Sequence, residues 1–290
     1  MSNQTQLDRF KAVTDFLRDR FKDDITAKDV EEIAYYSYRN INRIFRALQH
    51  ETIGQYIKRL KLEKAAEYLK YSDAAISDIA LDIGYSDIAA FSKAFKNQFQ
   101  CSPLAFREVQ HLKLEITQKA SGTATLFQTP ELPFEIEELP VLEVLYLEYQ
   151  GAYENLKGIQ DTWNQLIAYA HQQGLLTADT LYLAEILDDD EITDSLNCRL
   201  NTAIVLEKPL SFPLEGFFKT KPIESQKYVK FVHKGSHETC MDTYDSIYAQ
   251  WMVHVQKEFA DKPILEFYVN DEADTPKEEL LTEIHIPILA

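Results

Sequence analysis

Between Ile76 and Arg107 the chain reads ISDIALDIGYSDIAAFSKAFKNQFQCSPLAFR, and this stretch leaves little freedom about what can form. Ile76, Ile79, Ala80 and Ile83 recur at helical spacing, so one side of a short helix must be buried. Gly84 supplies the left-handed residue that ends it. Ser86 and Asp87 then offer side-chain oxygens to cap a second helix from about Ile88. In that second helix Phe91, Ala94, Phe95 and Phe99 form the buried stripe, which leaves Asp87, Ala89, Ala90, Lys93 and Lys96 facing outward. Helix, tight turn and helix is the shape of a helix-turn-helix reader, whose second helix lies in the DNA major groove with its early residues toward base edges.

A similar arrangement precedes it. From Leu7 to Phe21 the spacing of Phe10, Val13, Phe16 and Leu17 predicts an opening helix. Thr26, with Asp29 three residues on, predicts a capped helix that turns Val30, Ile33 and Ala34 to the core. Ser37 is expected to cap the next helix, whose buried stripe is Ile41, Ile44, Phe45 and Leu48. The opposite face carries Tyr38, Arg39, Asn42, Arg43 and Arg46: guanidinium forks and an amide suited to guanine and adenine edges, or to phosphates. Ile53 to Leu69 predicts a further helix with the stripe Tyr56, Ile57, Leu60, Leu62, Ala65, Ala66 and Leu69. It would span about 25 Å. That is the order of length that sets two recognition helices one DNA turn, about 34 Å, apart.

The spacing of Ile79-Ala80, Gly84-Tyr85, Phe91, Phe95-Lys96, Phe99, Pro103 and Phe106-Arg107 resembles the signature of AraC/XylS-type transcription regulators, and the likeness covers about Phe10 to Arg107. The resemblance implies an all-α domain of two helix-turn-helix units that binds double-stranded DNA in two adjacent major grooves without dimerising. It also implies RNA polymerase as a partner. By position, the family's base-contacting residues match Arg39, Asn42 and Arg43 in the first reader and Ile88, Ala89 and Lys93 in the second, with Lys96 on the same outer face. Ile88 and Ala89 donate no hydrogen bond and at best touch a thymine methyl, so the first helix is expected to carry most of the sequence discrimination. Three glycines usual in the family are replaced, by Tyr35 in the first turn and by His50 and Gln100 after the two readers. Those turns are expected in less comfortable backbone conformations.

Charge is divided unevenly along the chain. The 290 residues carry a net charge of -17, yet residues 1–122 hold 19 Lys and Arg against 17 Asp and Glu, and the remainder 11 against 30. The first part can approach phosphate, whereas the second would be pushed from it and suits a cationic ligand. The length suggests two domains: a DNA-binding domain over 1–110, a linker over 111–132 containing SGTATLFQTPELP, and a second domain over 133–290. The N-terminus shows no basic-then-apolar leader and no apolar run is long enough to span a bilayer, so a cytoplasmic protein without a membrane partner is expected. Cys101, Cys198 and Cys240 are widely spaced and unpaired by motif. Buried or half-buried thiols are expected there, not disulfides or a thiolate metal site.

The acidic part repeats itself. Glu148-Tyr149-Gln150-Gly151-Ala152-Tyr153-Glu154 aligns with Val232-His233-Lys234-Gly235-Ser236-His237-Glu238 at an offset of 84. Each predicts a strand, a glycine turn and a helix, followed by two strands: LYLAEIL and TAIVLE, then ILEFYV and EIHIPI. Two β-α-β-β repeats are expected to pair into one sheet with helices on one face, an α+β domain. The first helix is expected to bury Leu156, Ile159, Trp163, Leu166 and Ala170, the second Met241, Tyr244, Ile247 or Tyr248, Trp251 and Val255. In ILEFYVN, Leu265, Phe267 and Val269 alternate with Glu266 and Tyr268. If the aliphatic set packs on the helices, the carboxylate and phenol share the open face, as do Tyr146 and Glu148 in their own strand. A carboxylate among aromatics attracts cations through both charge and ring faces.

EELPVLEVLYLEYQGAYENL, CRLNTAIVLE, PILEFYVN and LLTEIHIPIL resemble a GyrI-like effector-binding domain over about Phe134 to Leu289. That resemblance implies a hydrophobic, often cationic small-molecule effector held between the repeats, with Glu266 as its counter-charge. Tyr268, Tyr146, Tyr153, Trp163 and Glu185 complete the expected lining, and no cofactor is expected. His233 and His237 straddle Gly235 and are expected at the surface instead of on a metal. Asp188, Asp189, Asp190 and Glu191 are expected as a solvated loop, lacking the ligand spacing of a calcium site. No Gly-rich phosphate loop, GxSxG or HExxH occurs, so the chain is read as a ligand-responsive transcription regulator and not as an enzyme, without metal or catalytic residues. Two other readings stay open: a small-molecule hydrolase with Glu266 or Glu185 as general base, and a protein-binding module that sequesters a partner.

Overall fold

The computed structural model describes residues 6–122, 132–214, 216–250, 255, 257–271 and 274–289. They fall into two units, Met1–Lys113 and Leu114–Ala290, each described by itself.

The first unit is helical: α1 (Gln6–Arg20), α2 (Ala27–Ala34), α3 (Tyr38–Gln49), α4 (Ile53–Tyr71), α5 (Ile76–Asp82), α6 (Ile88–Phe99) and the first part of α7 (Pro103–Gly122). Thr26 opens α2 in a full capping box with Asp29, and Thr52 opens α4 in another with Gln55, so each pair satisfies two orphan N–H groups. Ser37 stands at the start of α3 as expected, but its side chain makes no cap bond. The Glu31 carboxylate, from the preceding helix, instead accepts the Tyr38 N–H at 2.7 Å. Ile41 and Phe45 are buried with Phe10, Val13, Leu17, Val30 and Tyr56 in one core. Leu48, expected beside them, is 53% exposed, because it lies in the last turn of α3, past that helix's final core residue.

Helix α4 serves both halves of this unit. Ile53, Tyr56 and Leu60 belong to the first core, while Leu62, Ala65, Ala66 and Leu69 are buried farther along. Its 19 residues make a rod about 28 Å long. In the second half Phe91, Phe95, Phe99 and Phe106 contact one another ring to ring, with centroids 4.6 to 5.7 Å apart. Gly84 ends α5 at φ 81°, where a Cβ would meet the Lys22 carbonyl oxygen at 2.2 Å. Both the backbone angle and the close approach demand glycine.

Tyr35, His50 and Gln100, which replace family glycines, have φ of 54°, 59° and 61° and are the non-glycine residues with positive φ among those described. The expected discomfort is there, at roughly 1–2 kcal/mol for a left-handed residue bearing a side chain. His50→Gly and Gln100→Gly are each expected to stabilise the unit by up to about 1 kcal/mol, the gain being reduced by glycine's greater freedom when unfolded. Calorimetric melting of the two single variants checks this.

The first part of the expected linker is helical. Helix α7 continues through 111–122 to Gly122, because HLKLEITQKA consists mostly of residues that sustain a helix, and the Ser-Gly pair comes only at its end. Residues 123–131 lie outside the described residues.

The second unit contains β1 (Phe134–Leu139), β2 (Leu142–Gln150), α8 (Leu156–Gln172), β3 (Tyr182–Ile186), β4 (Arg199–Val205), β5 (Lys219–Ile223), β6 (Gln226–Lys234), α9 (Cys240–Gln250), β7 (Ile264–Tyr268) and β8 (Leu281–Pro287). The strands form one antiparallel sheet in the order β1-β6-β8-β7-β3-β4-β2-β5. Leu147, Thr202, Ala184, Glu266, Ile284, Phe231 and Phe134 are successive cross-strand partners. Such a row shares one face of a sheet. On that face Leu145, Leu147 and Ile204 pack with Leu166 and Ala170 of α8, and Val229, Phe231, Ile284 and Ile286 pack with Cys240 and Ile247 of α9.

The other face is filled by the strands themselves. Val144, Leu183, Ala203, Leu265 and Phe267 form one cluster with Ile223 of β5 and Tyr228 of β6. Those two strands are six positions apart in the strand order. In a flat sheet they would be about 29 Å apart, so the sheet curls over this second layer. Leu156 and Met241, expected in the helix cores, are exposed, each lying in the first turn of its helix. Val255 is buried. Trp251 lies outside the described residues.

Candidate functional site

Helix α3 turns Arg39, Arg43 and Arg46 to solvent, and none of the three is paired with a carboxylate among the described residues. The other two expected readers are turned to hold the fold. Tyr38 packs, half-buried, on the first core. Asn42 Oδ1 accepts the Ile53 N–H at 2.9 Å and so caps α4 from eleven residues upstream. Asn42→Ala is therefore expected to cost about 1 kcal/mol of stability, measured by urea unfolding. In α6 the Asp87 carboxylate accepts the Ala89 N–H at 2.9 Å, fixing the helix start. Ile88, Ala89, Lys93 and Lys96 are all exposed. One reader thus offers free guanidiniums, and the other an apolar leading edge followed by two amines.

Glu266 lies in the middle of the helix-bearing face, between the register partners Ala184 and Ile284. Its carboxylate accepts the Tyr244 hydroxyl of α9 at 2.6 Å and the Tyr268 hydroxyl at 3.1 Å. Among the described residues no Lys or Arg pairs with it. The Tyr268 ring meets Trp163 of α8 edge to face at 5.5 Å and His237 at 4.9 Å. Tyr248 lies against Tyr244, with centroids 6.4 Å apart. A half-buried carboxylate that accepts from two neutral donors and is framed by rings has the chemistry to attract a cation.

Burial first and the Glu266 charge second hold the Tyr244 and Tyr268 hydroxyls well above the usual tyrosine range. Burial also pushes the Cys240 thiol up, Glu266 adding to it, which keeps the sulfur a poor nucleophile. The native state keeps tyrosine protons that the unfolded chain loses near pH 10, so stability contributed here is present below about pH 10 and falls as pH rises beyond it. Urea unfolding at rising alkaline pH is expected to show that fall, with Tyr244→Phe flattening it.

The expected orientation of β7 is reversed. Leu265 and Phe267 fill the layer away from the helices, and Glu266 and Tyr268 face α8 and α9. Both faces of this strand are covered, so alternation separates two sets of residues without saying which set meets the helices. Of the six expected lining residues, Glu266, Tyr268 and Trp163 come together. The Tyr153 hydroxyl lies 2.8 Å from the Arg199 carbonyl oxygen and 3.0 Å from that of Asp188, sharing its one proton between them and pinning a loop. Tyr146 and Glu185 lie on the opposite face, by register with Ala203 and Asn201. Tyr244, Tyr248 and His237 were missed as site residues; the available signal was a pair of tyrosines one helical turn apart in α9.

Two competing sites are also corrected. His233 is buried, its Nδ1 within 2.7 Å of the Thr243 hydroxyl and its Nε2 within 3.1 Å of the Ser236 carbonyl oxygen, so it is a satisfied core histidine. Asp188 is not solvated: Arg199 donates to both its oxygens at 2.7 Å, a bidentate pair that anchors the acidic loop.

The profile of the GyrI-like small molecule binding domain family matches residues 132–289, and that of a helix-turn-helix domain matches residues 30–108. The chain is 31% identical over 116 residues to the HTH-type transcriptional regulator YkgA of Escherichia coli strain K12, covering 38% of this chain and 48% of that protein. It is 39% identical over 72 residues to the regulatory protein SoxS of the same strain, covering 25% of this chain and 67% of SoxS. The chain thus spans about half the length of YkgA. Among solved structures, the EcmrR C-terminal domain aligns over 55% of this chain and 98% of its own at 16% identity, with a TM-score of 0.44. No helix among the described residues is long and apolar enough to cross a membrane.

Proposed function

We propose, from the premise that the chain belongs to the GyrI-like small molecule binding domain family and carries an AraC-type helix-turn-helix domain ahead of it, that it is a DNA-binding transcription regulator. Its C-terminal unit senses a hydrophobic cation. The observation that carries the effector half is Glu266: a half-buried carboxylate with two tyrosine donors and no basic partner among the described residues. A charge kept in that setting gains most from a cation brought from outside. Trp163, Tyr244 and Tyr268 supply the ring faces.

The unit reads as two β-α-β-β repeats, β2-α8-β3-β4 and β6-α9-β7-β8, which meet at the β3–β7 pair where Glu266 lies. Effector binding there would bias contacts on DNA or with RNA polymerase, in the cytoplasm. The site binds and does not turn over its ligand, since the carboxylate is committed as an acceptor and the nearby thiol stays protonated.

Selecting bound fragments from random DNA with the full chain, then footprinting the winner, tests the reading. Two protected grooves about ten base pairs apart, and transcription from that site that changes with tetraphenylphosphonium, are expected. No selected sequence, or transcription indifferent to bound cation, would contradict it.

A further inference from the structure

The lining residues that fall on the opposite face of the sheet form a second box. Glu185 is 3% exposed, and Asn201, its cross-strand partner, is 2% exposed. Asn201 Nδ2 donates to Glu185 Oε2 at 2.8 Å, while Asn201 Oδ1 is buried with no partner. The same Glu185 oxygen is 2.8 Å from Lys221 Nζ, and that ammonium sits 5.0 Å from the Tyr146 ring centroid. Carboxylate and ring face are what an ammonium needs, and here the chain supplies the ammonium itself.

We propose that Glu185, held by Asn201, and Tyr146 form a second cation site, distinct from Glu266, that takes a small primary ammonium compound and is occupied at rest by Lys221. Two features point to an exchangeable occupant instead of a sealed pair. Lys221 comes from β5, the terminal strand of the sheet, whose hydrogen-bonded neighbour is β2 alone. Its side chain is a third exposed while Glu185 is buried, so water reaches the cation and not the anion. The charge of Glu185 is felt at Tyr228, whose hydroxyl burial and that carboxylate push up to about 12. Exchange would free β5 from its tie to β3. This site does not depend on the Glu266 reading, and the two can fail separately.

Lys221→Ala in the full chain tests it. The variant should melt several degrees lower, and methylammonium chloride should recover much of that loss, whereas sodium chloride and tetramethylammonium chloride at equal ionic strength should not. The double variant Lys221→Ala/Glu185→Gln should ignore methylammonium. Recovery by sodium chloride alone, recovery in the double variant, or none in the single one would overturn the proposal. Should Lys221→Ala not fold, the wild-type chain answers by NMR. The Lys221 Cε–Hε signal, shifted by the Tyr146 ring and assigned by its loss in Lys221→Arg, should move to the exposed-lysine position as methylammonium is added; a signal that stays would count equally against it.

Discussion

Arg43→Ala is expected to lower affinity for the selected DNA site by roughly 10- to 100-fold and to relax base selection at one position, the loss of a bidentate guanidinium–guanine contact. Arg39→Ala should behave alike. Both guanidiniums are exposed on α3 and carry no carboxylate partner among the described residues, which leaves them available to a duplex. Ile88→Ala should change affinity only a few-fold, because a methyl contact is all its side chain offers in the second groove. Lys96, about two turns beyond Ile88 in α6, is expected to meet phosphate. Lys96→Ala should weaken all sequences alike and reduce the slope of binding against salt by roughly one. Fluorescence anisotropy at fixed ionic strength separates these outcomes, and greater harm to selectivity from Ile88→Ala than from Arg43→Ala would reverse the assignment of the two readers.

Glu266→Gln is expected to weaken binding of a lipophilic cation by about 100-fold. Two unit charges about 5 Å apart at an effective dielectric of about 20 interact by roughly 3 kcal/mol. Glutamine keeps the shape, accepting from one tyrosine hydroxyl through Oε1 and donating Nε2–H to the oxygen of the other, so the change removes the charge and keeps two hydrogen bonds. A neutral ligand of the same outline should bind both proteins equally. Titration calorimetry with tetraphenylphosphonium and an uncharged tetraphenyl analogue gives both comparisons. Equal binding of the cation by wild type and Glu266→Gln would mean that rings alone hold it.

How far these sites could be read from the chain depended on how local their causes are. The capping box at Thr26 and the turn at Gly84 depend on neighbours within a few residues, and each is where its spacing puts it, while the left-handed Tyr35, His50 and Gln100 follow from the glycines that the family resemblance expects there. Asn42 escaped because its partner is the start of another helix; an outward position on α3 looks the same whether the amide meets DNA or Ile53. The orientation of β7 escaped for a different reason. A strand covered on both faces offers two apolar partners, and only the register carried across the sheet from Leu147 to Phe134 says that Glu266 looks toward α8 and α9. Tyr244 came into the site through that same reversal. Lys221 was invisible in sequence terms because β5 joins the sheet beside β2, far along the chain from the strand that carries Glu185.

The most direct test is a crystal structure of the full chain with tetraphenylphosphonium. Density for the cation between α8 and α9, with Glu266 the nearest charged group and the rings of Trp163 or Tyr268 against it, is the predicted result. A cation bound elsewhere at saturation, or a Glu266 whose two tyrosine bonds persist with nothing beside them, would contradict the account.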